Sequence, residues 1–367
     1  MTAVPSPFET AALDALRQLP DPLTGQDWVS ARRVRQLKVL AGRAEVDIVL
    51  GYPARSQWPA YTRLVEDALL RVEGIREVAV NWSTEVVSHQ AMRGQALLPG
   101  VKNLVAVASG KGGVGKSTTA VNLALALAAE GARVGMLDAD IYGPSQPLML
   151  GLSGKPDSPD GKTITPPVNH GLQTMSIGLL IEGQAPAIWR GPMATQALEQ
   201  LLRQTNWKDL DYLIIDMPPG TGDIQLTLSQ RVPMTGAVIV TTPQDIALLD
   251  AKKGVKMFEK VGVPLLGLVE NMAVHVCENC GHVEHIFGED GGKRMAAQYK
   301  MDYLGALPLN LSIRVQADSG RPSVVSDPDG EIAALYRSVA RQMAVKIAAQ
   351  AKDYSAKFPS ISISKGT

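Results

Sequence analysis

The sequence lacks the features that would set it apart from an ordinary globular protein. Across its 367 residues the formal net charge is zero, so no overall charge favours binding to nucleic acid or to an anionic membrane. No uncharged apolar run approaches ~18 residues, the length expected of a transmembrane helix. The N-terminus has no basic segment followed by an apolar stretch, which is the pattern of an export signal. We therefore expect a cytoplasmic protein with neither nucleic acid nor membrane as a partner.

Cysteine is scarce. The chain has only two cysteines, Cys277 and Cys280. In a reducing compartment a C-x-x-C pair is more often a metal or redox site than a structural disulfide. Because no thioredoxin-like pattern surrounds the pair, a redox dithiol is the weaker interpretation. The pair therefore indicates a metal site.

Two regions of the chain differ in the spacing of their apolar residues. Residues 1–86 contain helical and alternating stretches in the order α-β-β-α-β, which predicts a small α+β domain. Residues 87–102 have little periodicity and are predicted to be a linker. From 103 to 352 continuous apolar runs alternate with helical stretches, which predicts an α/β domain with a doubly wound, mostly parallel sheet. The polar residues 353–367 are predicted to form a flexible tail.

One segment matches the phosphate-binding pattern G-x-x-x-x-G-K-[ST]. It is preceded by the apolar run 104–108 and followed by the helical run 118–129, the setting that the motif needs. Its glycines let backbone N–H groups turn towards a polyphosphate at the positive end of the helix. Lys116 is expected to reach the β- and γ-phosphates, and the Ser117 hydroxyl to ligate Mg²⁺. The predicted nucleotide contacts of this segment are Gly110, Lys111, Gly112, Gly113, Val114, Gly115, Lys116, Ser117 and Thr118.

Carboxylates follow two of the predicted buried strands. Since nucleotide binds at the carboxyl ends of such strands, Asp216 fits a Walker B aspartate that bonds to Mg²⁺ through water. Asp140 can hold a metal-bound water or orient the attacking one, whereas Asp138 can also simply cap the segment after it. Gly220, in the turn after Asp216, can offer its N–H to the γ-phosphate, so that this loop would sense hydrolysis.

A base contact is predicted at Asn271. This residue follows the apolar run 265–269, and its amide both donates and accepts hydrogen bonds, which suits a purine edge. The chain lacks the N-K-x-D pattern of guanine-binding proteins. ATP is therefore the favoured nucleotide.

Together these motifs resemble the Mrp (ApbC) family of P-loop ATPases that carry iron–sulfur clusters. The matching segments are residues 110–118, 138–145, 216–223, 270–272 and the C-x-x-C pair. The run K-G-G-V-G-K-S further resembles the deviant Walker A class of dimeric ATPases, whose extra lysine reaches the partner's nucleotide across a two-fold interface. This resemblance implies a P-loop NTPase fold and a catalytic role for Lys111 beside Lys116 and Asp140. A lysine at position 111 can otherwise be a solvated loop residue.

The number of sulfur ligands bears on the oligomeric state. Zinc and iron–sulfur sites usually need four ligands, and one chain offers only Cys277 and Cys280. Four thiolates therefore require two chains, which the homodimer implied for Lys111 would supply. The resemblance implies a labile [4Fe–4S] cluster between the subunits, received from an assembly scaffold and passed to apo-proteins. A mononuclear zinc site that adds two of the three nearby histidines is the alternative: His275, His282 and His285.

The N-terminal region resembles a small domain of unknown function that occurs in iron–sulfur assembly factors and fused to bacterial Mrp proteins. Some members carry a cysteine after the second strand, but residues 51–56 contain none, so we expect partner docking rather than cluster ligation. Two other functions stay open at this point. One is a partitioning or division-site ATPase, which the neutral charge and the C-x-x-C pair disfavour. The other is a zinc-bound scaffold whose nucleotide is structural.

Overall fold

The chain separates into two compact units, which are described one at a time. The computed structural model describes residues 6–89, 97–180 and 191–352. The first unit comprises Met1–Val86 with Ala129–Ala132, and the second comprises Val87–Ala128 with Arg133–Thr367. The predicted tail, 353–367, lies outside the described residues, as do residues 90–96 of the predicted linker. The predicted domain boundaries stay a prediction.

The first unit has the predicted order of helices and strands. Its elements are α1 (Pro7–Arg17), β1 (Val34–Leu40), β2 (Arg43–Leu50), α2 (Trp58–Leu69) and β3 (Glu77–Thr84). β1 pairs with β2 in antiparallel register, and β3 pairs with the other side of β2 in parallel register. A three-stranded sheet with two helices therefore forms a small α+β layer.

Local sequence explains the start of α1 and the core of this unit. Ser6 and Glu9 form a reciprocal capping box, in which each side chain accepts the backbone N–H of the other. Every second residue of β2 is buried, since alternate side chains of a strand point to opposite faces. Three aromatic rings cluster in the core with centroids 5.4 to 5.8 Å apart: Trp28, Tyr61 and Trp82.

The second unit is built on an eight-stranded sheet. Its strands are β4 (Leu104–Ala108), β5 (Val134–Asp138), β6 (Val168–Asn169), β7 (Leu172–Ser176), β8 (Tyr212–Asp216), β9 (Gly236–Thr241), β10 (Leu265–Glu270) and β13 (Tyr303–Ala306). Their order is β13-β10-β9-β4-β8-β5-β7-β6, and every neighbouring pair is parallel except the edge pair β6 and β7. All residues of β4, β5, β8 and β9 are buried, as expected for a sheet covered on both faces. The predicted mostly parallel α/β fold is confirmed.

Helices and one small hairpin complete the second unit. The helices are α3 (Lys116–Ala129), α4 (Gln146–Met149), α5 (Gly191–Gln204), α6 (Asp223–Arg231), α7 (Asp245–Val261), α8 (Gly291–Gln298), α9 (Leu311–Asp318), α10 (Ser323–Ser326) and α11 (Glu331–Ala348). The hairpin joins β11 (His275–Val276) to β12 (Val283–Glu284). Within the described ranges, no helix is both long enough and apolar enough to cross a bilayer.

Sheet register brings the predicted site residues to one edge. β4 pairs with β8 and β8 pairs with β5, all in parallel. In this register Asp216 lies opposite Val107 on one side and Asp138 on the other. The phosphate-binding segment after β4 and the carboxylates of β5 and β8 therefore meet at the carboxyl ends of three adjacent strands.

Candidate nucleotide site and cysteine loop

The phosphate-binding segment forms a loop between β4 and the first turn of α3. Gly113 and Gly115 have φ angles of 82° and 80°, in the left-handed region that favours glycine. At Gly110 the reason for glycine is space, because an added Cβ would lie 2.1 Å from the carbonyl carbon of Asp250. The hydroxyl of Ser109 donates to the carbonyl of Lys111 over 2.8 Å, which closes the start of the loop. The loop therefore has the backbone shape that its motif predicts.

Lys116 is buried at the centre of the site. Its side chain is 6% exposed and its ammonium group pairs with Asp216. The same Nζ lies 3.1 Å from Ser117 Oγ and 3.8 Å from Asp140 Oδ2. Ser117, Asp140 and Asp216 are the side chains predicted to hold Mg²⁺. In the structure their oxygens gather around the ammonium group of Lys116. Because Mg²⁺ prefers oxygen ligands, the residues present fit that metal.

Asp138, the last residue of β5, and Asp140, two residues later, have different surroundings. Burial raises the pKa of Asp138, and the nearby Asp216 carboxylate raises it further. Asp138 accepts the backbone N–H groups of Asp140 and Gln146 at 3.2 and 3.1 Å, together with the Ser176 hydroxyl at 3.0 Å. Asp138 therefore caps and orders the segment that carries Asp140.

Asp140 is the carboxylate that approaches the phosphate loop. Burial raises its pKa, whereas the positive charge of Lys116 lowers it, and the net shift is upwards. Its side chain is 14% exposed, while Asp138 and Asp216 are fully buried. Partial exposure suits a group that orients water, which is the role predicted for Asp140.

Gly220 lies in the turn after β8 with a φ of 90°. Its N–H donates to the carbonyl of Ser109 over 3.0 Å, at the entrance of the phosphate loop. The predicted contact with a γ-phosphate therefore requires this N–H to change its partner. Such a change would link the turn after Asp216 to the state of the nucleotide.

Asn271 lies against the phosphate loop. Its Nδ2 donates to the carbonyl of Val114 over 2.9 Å, and an added Cβ on Gly115 would lie 2.1 Å from this nitrogen. One hydrogen of the amide is therefore used to hold the loop, and the amide retains a second hydrogen and its oxygen for other partners. The predicted contact with a purine edge stays a prediction.

A cavity of about 330 Å³ adjoins Gly115, Thr118 and Asn271. This volume is within the range of about 300–1,000 Å³ that is usual for small-molecule sites. Its apolar lining includes Met149, Met272, Pro308, Leu309 and Ile313. We did not predict these residues from the sequence. One signal was available for two of them, because Pro308 and Leu309 come two and three residues after the end of β13, at the edge where ligands bind.

Lys111 is half-buried at the outer part of the phosphate loop. Among the residues that the structure describes, none forms an ion pair or a hydrogen bond with its ammonium group. This differs from Lys116, whose ammonium group is surrounded by oxygens of the same chain. The described residues thus leave the ammonium group of Lys111 able to contact a ligand that is not among them.

The C-x-x-C pair forms a tight loop between β11 and β12. The Cys277 N–H donates to the carbonyl of His282, and the Gly281 N–H donates back to the carbonyl of Cys277. Hydrogen bonds from the backbone of Cys280 and Asn279, and from the Cys280 side chain, lower the pKa of the Cys277 thiol. Cys280 is exposed, and neither cysteine is disulfide-bonded. A favoured thiolate in an accessible loop is what a metal ligand requires.

The nearby histidines do not join the cysteines. Nδ1 of His275 lies 3.1 Å from the carbonyl of Leu309, and Nδ1 of His285 lies 3.2 Å from the carbonyl of Ala273. Over the described ranges, no three His, Cys, Asp or Glu side chains are arranged to hold a metal ion. Within those ranges the side chains of one chain are therefore not arranged as the alternative zinc site.

Comparison with known proteins gives similarity along most of the chain. Residues 100–344 match the family described as NUBPL iron-transfer P-loop NTPase, and residues 9–82 match the family described as iron–sulfur cluster assembly protein. The iron–sulfur cluster carrier protein of Escherichia coli (strain K12) is 54% identical over 303 residues, which are 82% of each chain. The iron–sulfur cluster transfer protein NUBPL of Mus musculus is 52% identical over 262 residues, which are 71% of this chain and 82% of that one.

A solved structure is similar to part of this chain. It is a nucleotide-binding protein from Archaeoglobus fulgidus in complex with ADP. The two share 37% sequence identity and superpose with a TM-score of 0.55, over 63% of this chain and 90% of the other. The similarity in fold thus accompanies a similarity in sequence.

Proposed function

We propose, since this chain belongs to the family of NUBPL iron-transfer P-loop NTPases, that it is an ATP-hydrolysing carrier which delivers iron–sulfur clusters to apo-proteins. One observation carries the proposal. The same compact unit holds two loops. In the phosphate loop, side-chain oxygens gather around the ammonium group of Lys116, and the other loop is exposed and carries two thiols. The first suits a nucleotide, and the second suits a soft metal centre.

Apart from Lys111, the nucleotide half of the function uses residues of one chain. The loop from Gly110 to Thr118 cradles the phosphates with its backbone N–H groups, and Asn271 faces the base. Lys116 leaves Asp216 for the β- and γ-phosphates. Ser117, Asp140 and Asp216 would hold Mg²⁺, which would supply positive charge to neutralise the charge that develops on the phosphates. Asp140 orients the attacking water, and Gly220 exchanges Ser109 for the γ-phosphate.

The cluster half of the function uses two chains. Cys277 and Cys280 are half of a four-thiolate site, so we infer a homodimer that holds a [4Fe–4S] cluster between its subunits. Two features support a second copy: Lys111 has no described partner in its own chain, and Val276 and Val283 expose apolar side chains beside the cysteines. Across the same interface Lys111 would stabilise the phosphoryl group that the partner subunit transfers.

The first unit is proposed to bind other proteins rather than the cluster. The segment after β2, residues 51–56, contains no cysteine, and the family that it matches is named for cluster assembly. We therefore infer that this unit docks the scaffold that supplies the cluster or the apo-proteins that receive it. All of these exchanges would take place in the cytoplasm.

Anaerobic reconstitution with iron and sulfide tests the proposal. We expect a dimer by mass that contains about four iron atoms and shows brown visible absorption. Cys277→Ser should lose both iron and colour but keep ATP turnover within about twofold, because the thiol lies outside the phosphate loop. Glu278→Gln is the matched control, since it changes an exposed residue of the same loop and leaves both thiols in place. A loaded protein that stays monomeric, or holds zinc alone, would contradict the carrier function.

A further inference from the structure

Gln146 is a fully buried glutamine that links three parts of the nucleotide site. Its Nε2 donates to Asp216 Oδ2 over 2.8 Å and to the carbonyl of Ser117 over 3.1 Å. Its backbone N–H donates to Asp138 Oδ2 over 3.1 Å. One residue at the start of α4 therefore connects the segment after β5, the end of β8 and the first turn of α3.

The two oxygens of Asp216 have different partners. Oδ1 pairs with the ammonium group of Lys116, and Oδ2 accepts from the amide of Gln146. In the proposed function Lys116 leaves Asp216 when nucleotide binds, so the first bond is temporary. The bond to Gln146 does not depend on that movement. A fully buried carboxylate needs such a partner, because an unpaired charge in a dry interior is strongly unfavourable.

We propose that Gln146 is a positioning residue for the magnesium site, which fixes the orientation of Asp216, one of the carboxylates that would hold Mg²⁺. The inference rests on the proposed ATPase function and deepens it. Both hydrogens of the amide are used, one on Asp216 and one on the carbonyl of Ser117, whose hydroxyl is a predicted Mg²⁺ ligand. Outer partners of this kind orient the groups that surround a metal and tune its affinity.

The amide is the chemical group that this position needs. A carboxylate at position 146 would put a second negative charge beside Asp216, and an apolar side chain would take away the amide donor of the buried Asp216 Oδ2. A neutral amide donates to Asp216 Oδ2 and to the carbonyl of Ser117 and does not compete for the cation. Its own Oε1 is buried and accepts from no residue in the described ranges. This oxygen can therefore accept a hydrogen bond when nucleotide and Mg²⁺ are bound.

The test compares Gln146→Met, which conserves side-chain length, with the wild-type protein. ADP affinity is measured by calorimetry with Mg²⁺ and with a chelator in its place. In the wild type Mg²⁺ should tighten ADP binding. In Gln146→Met that tightening should fall by about tenfold, the low end of the effect of removing an outer partner of a metal, while affinity in chelator is unchanged. Thr174→Val is the control, because it removes a buried hydroxyl without a described partner.

The outcomes separate this inference from the proposed function. Equal weakening of ADP binding with and without Mg²⁺ would indicate a general packing defect and overturn the inference, as would no change in either condition. If Gln146→Met does not fold, Gln146→Asn is measured in the same way, because its amide is one methylene too short to reach both oxygens. The proposed ATPase function fails instead if the wild-type protein gains no ADP affinity from Mg²⁺.

Discussion

The phosphate loop and the cysteine loop are built in opposite ways. In the first, Lys116 and Asp216 are buried, and each has partners within its own chain. In the second, Cys280 is exposed and only two ligands are present. A buried, preorganised site keeps its ligand in one geometry through a reaction, which catalysis requires. An accessible half-site suits a ligand that must be received and released. The difference suggests that the catalytic site and the cargo site are assembled independently.

The largest expected effect comes from removing the buried cation. Lys116→Ala should reduce ATP turnover by about a thousandfold, because the γ-phosphate loses its main charged donor. Steady-state phosphate release measures this change, and iron content after reconstitution should stay equal to that of the wild type. Lys346→Ala is the control, since Lys346 forms an exposed ion pair with Asp302, a kind of pair that contributes little.

Lys116→Ala also tests whether the two loops assemble independently. If Lys116→Ala also loses its iron while its circular dichroism stays native, the two sites do not assemble independently. The cysteine loop would then depend on a conformation that nucleotide imposes. Retained iron with lost turnover would support the independent assembly of the two sites.

How much could be predicted differs between the loops for a physical reason. The spacing of the phosphate motif fixes a local backbone shape, so Gly110, Lys116 and Ser117 are found where the pattern indicates. Asp216 and Asp140 could be predicted because parallel strands end at one edge. Gln146 could not, because its role depends on contact with Asp216, 70 residues later in the chain.

Short strands also could not be predicted from the sequence. β11 and β12 have two residues each, which is too few to establish a period, so the hairpin around the cysteines was not predicted. The longer β1 and β2 alternate clearly, and their hairpin was predicted. The apolar wall of the cavity, including Ile313, was missed because it becomes a wall only when α9 packs beside the phosphate loop.

A smaller effect is expected from the lysine that has no described partner. Lys111→Ala should reduce turnover by about 100-fold, as is usual for one transition-state donor, and change ADP affinity by less than about threefold. Lys155→Ala, which alters an exposed loop lysine, is the control. Phosphate release and calorimetry measure the two quantities. This prediction sharpens the comparison, because it asks whether the phosphate site is complete without a second chain.

A mixture of two variant subunits tests whether Lys111 acts on its own chain or on the partner subunit. If Lys111 acts across a two-fold axis, mixing Lys111→Ala with Lys116→Ala subunits creates heterodimers with one complete site. Random pairing makes about half of the dimers mixed, so the mixture should recover about a quarter of wild-type turnover. If Lys111 acts within its own chain, no mixed dimer has a complete site. A mixture that is no more active than its components would therefore exclude the contact between subunits.

The smallest expected effect concerns the Cys277 thiol in the absence of metal. Hydrogen bonds from the backbone of Cys280 and Asn279, and from the Cys280 side chain, lower the pKa of the Cys277 thiol. Only the thiolate is alkylated, so the alkylation rate rises as pH increases through that pKa. Cys280→Ser protein keeps both backbone donors and puts a hydroxyl in place of the Cys280 thiol. In this variant the half-maximal rate of Cys277 alkylation should occur at a lower pH in the folded state than in urea. The same residue in the unfolded chain is the reference.

The result bears on whether the cysteine loop is preorganised. A lower midpoint in the folded protein means that the hairpin orients its donors before any metal binds, so the half-site differs from the phosphate site in completeness but not in order. An equal or higher midpoint would mean that the loop acquires its geometry only around the metal. In that case part of the binding free energy would be used to order the loop. The affinity for the cluster would then be lower than that of a preorganised loop.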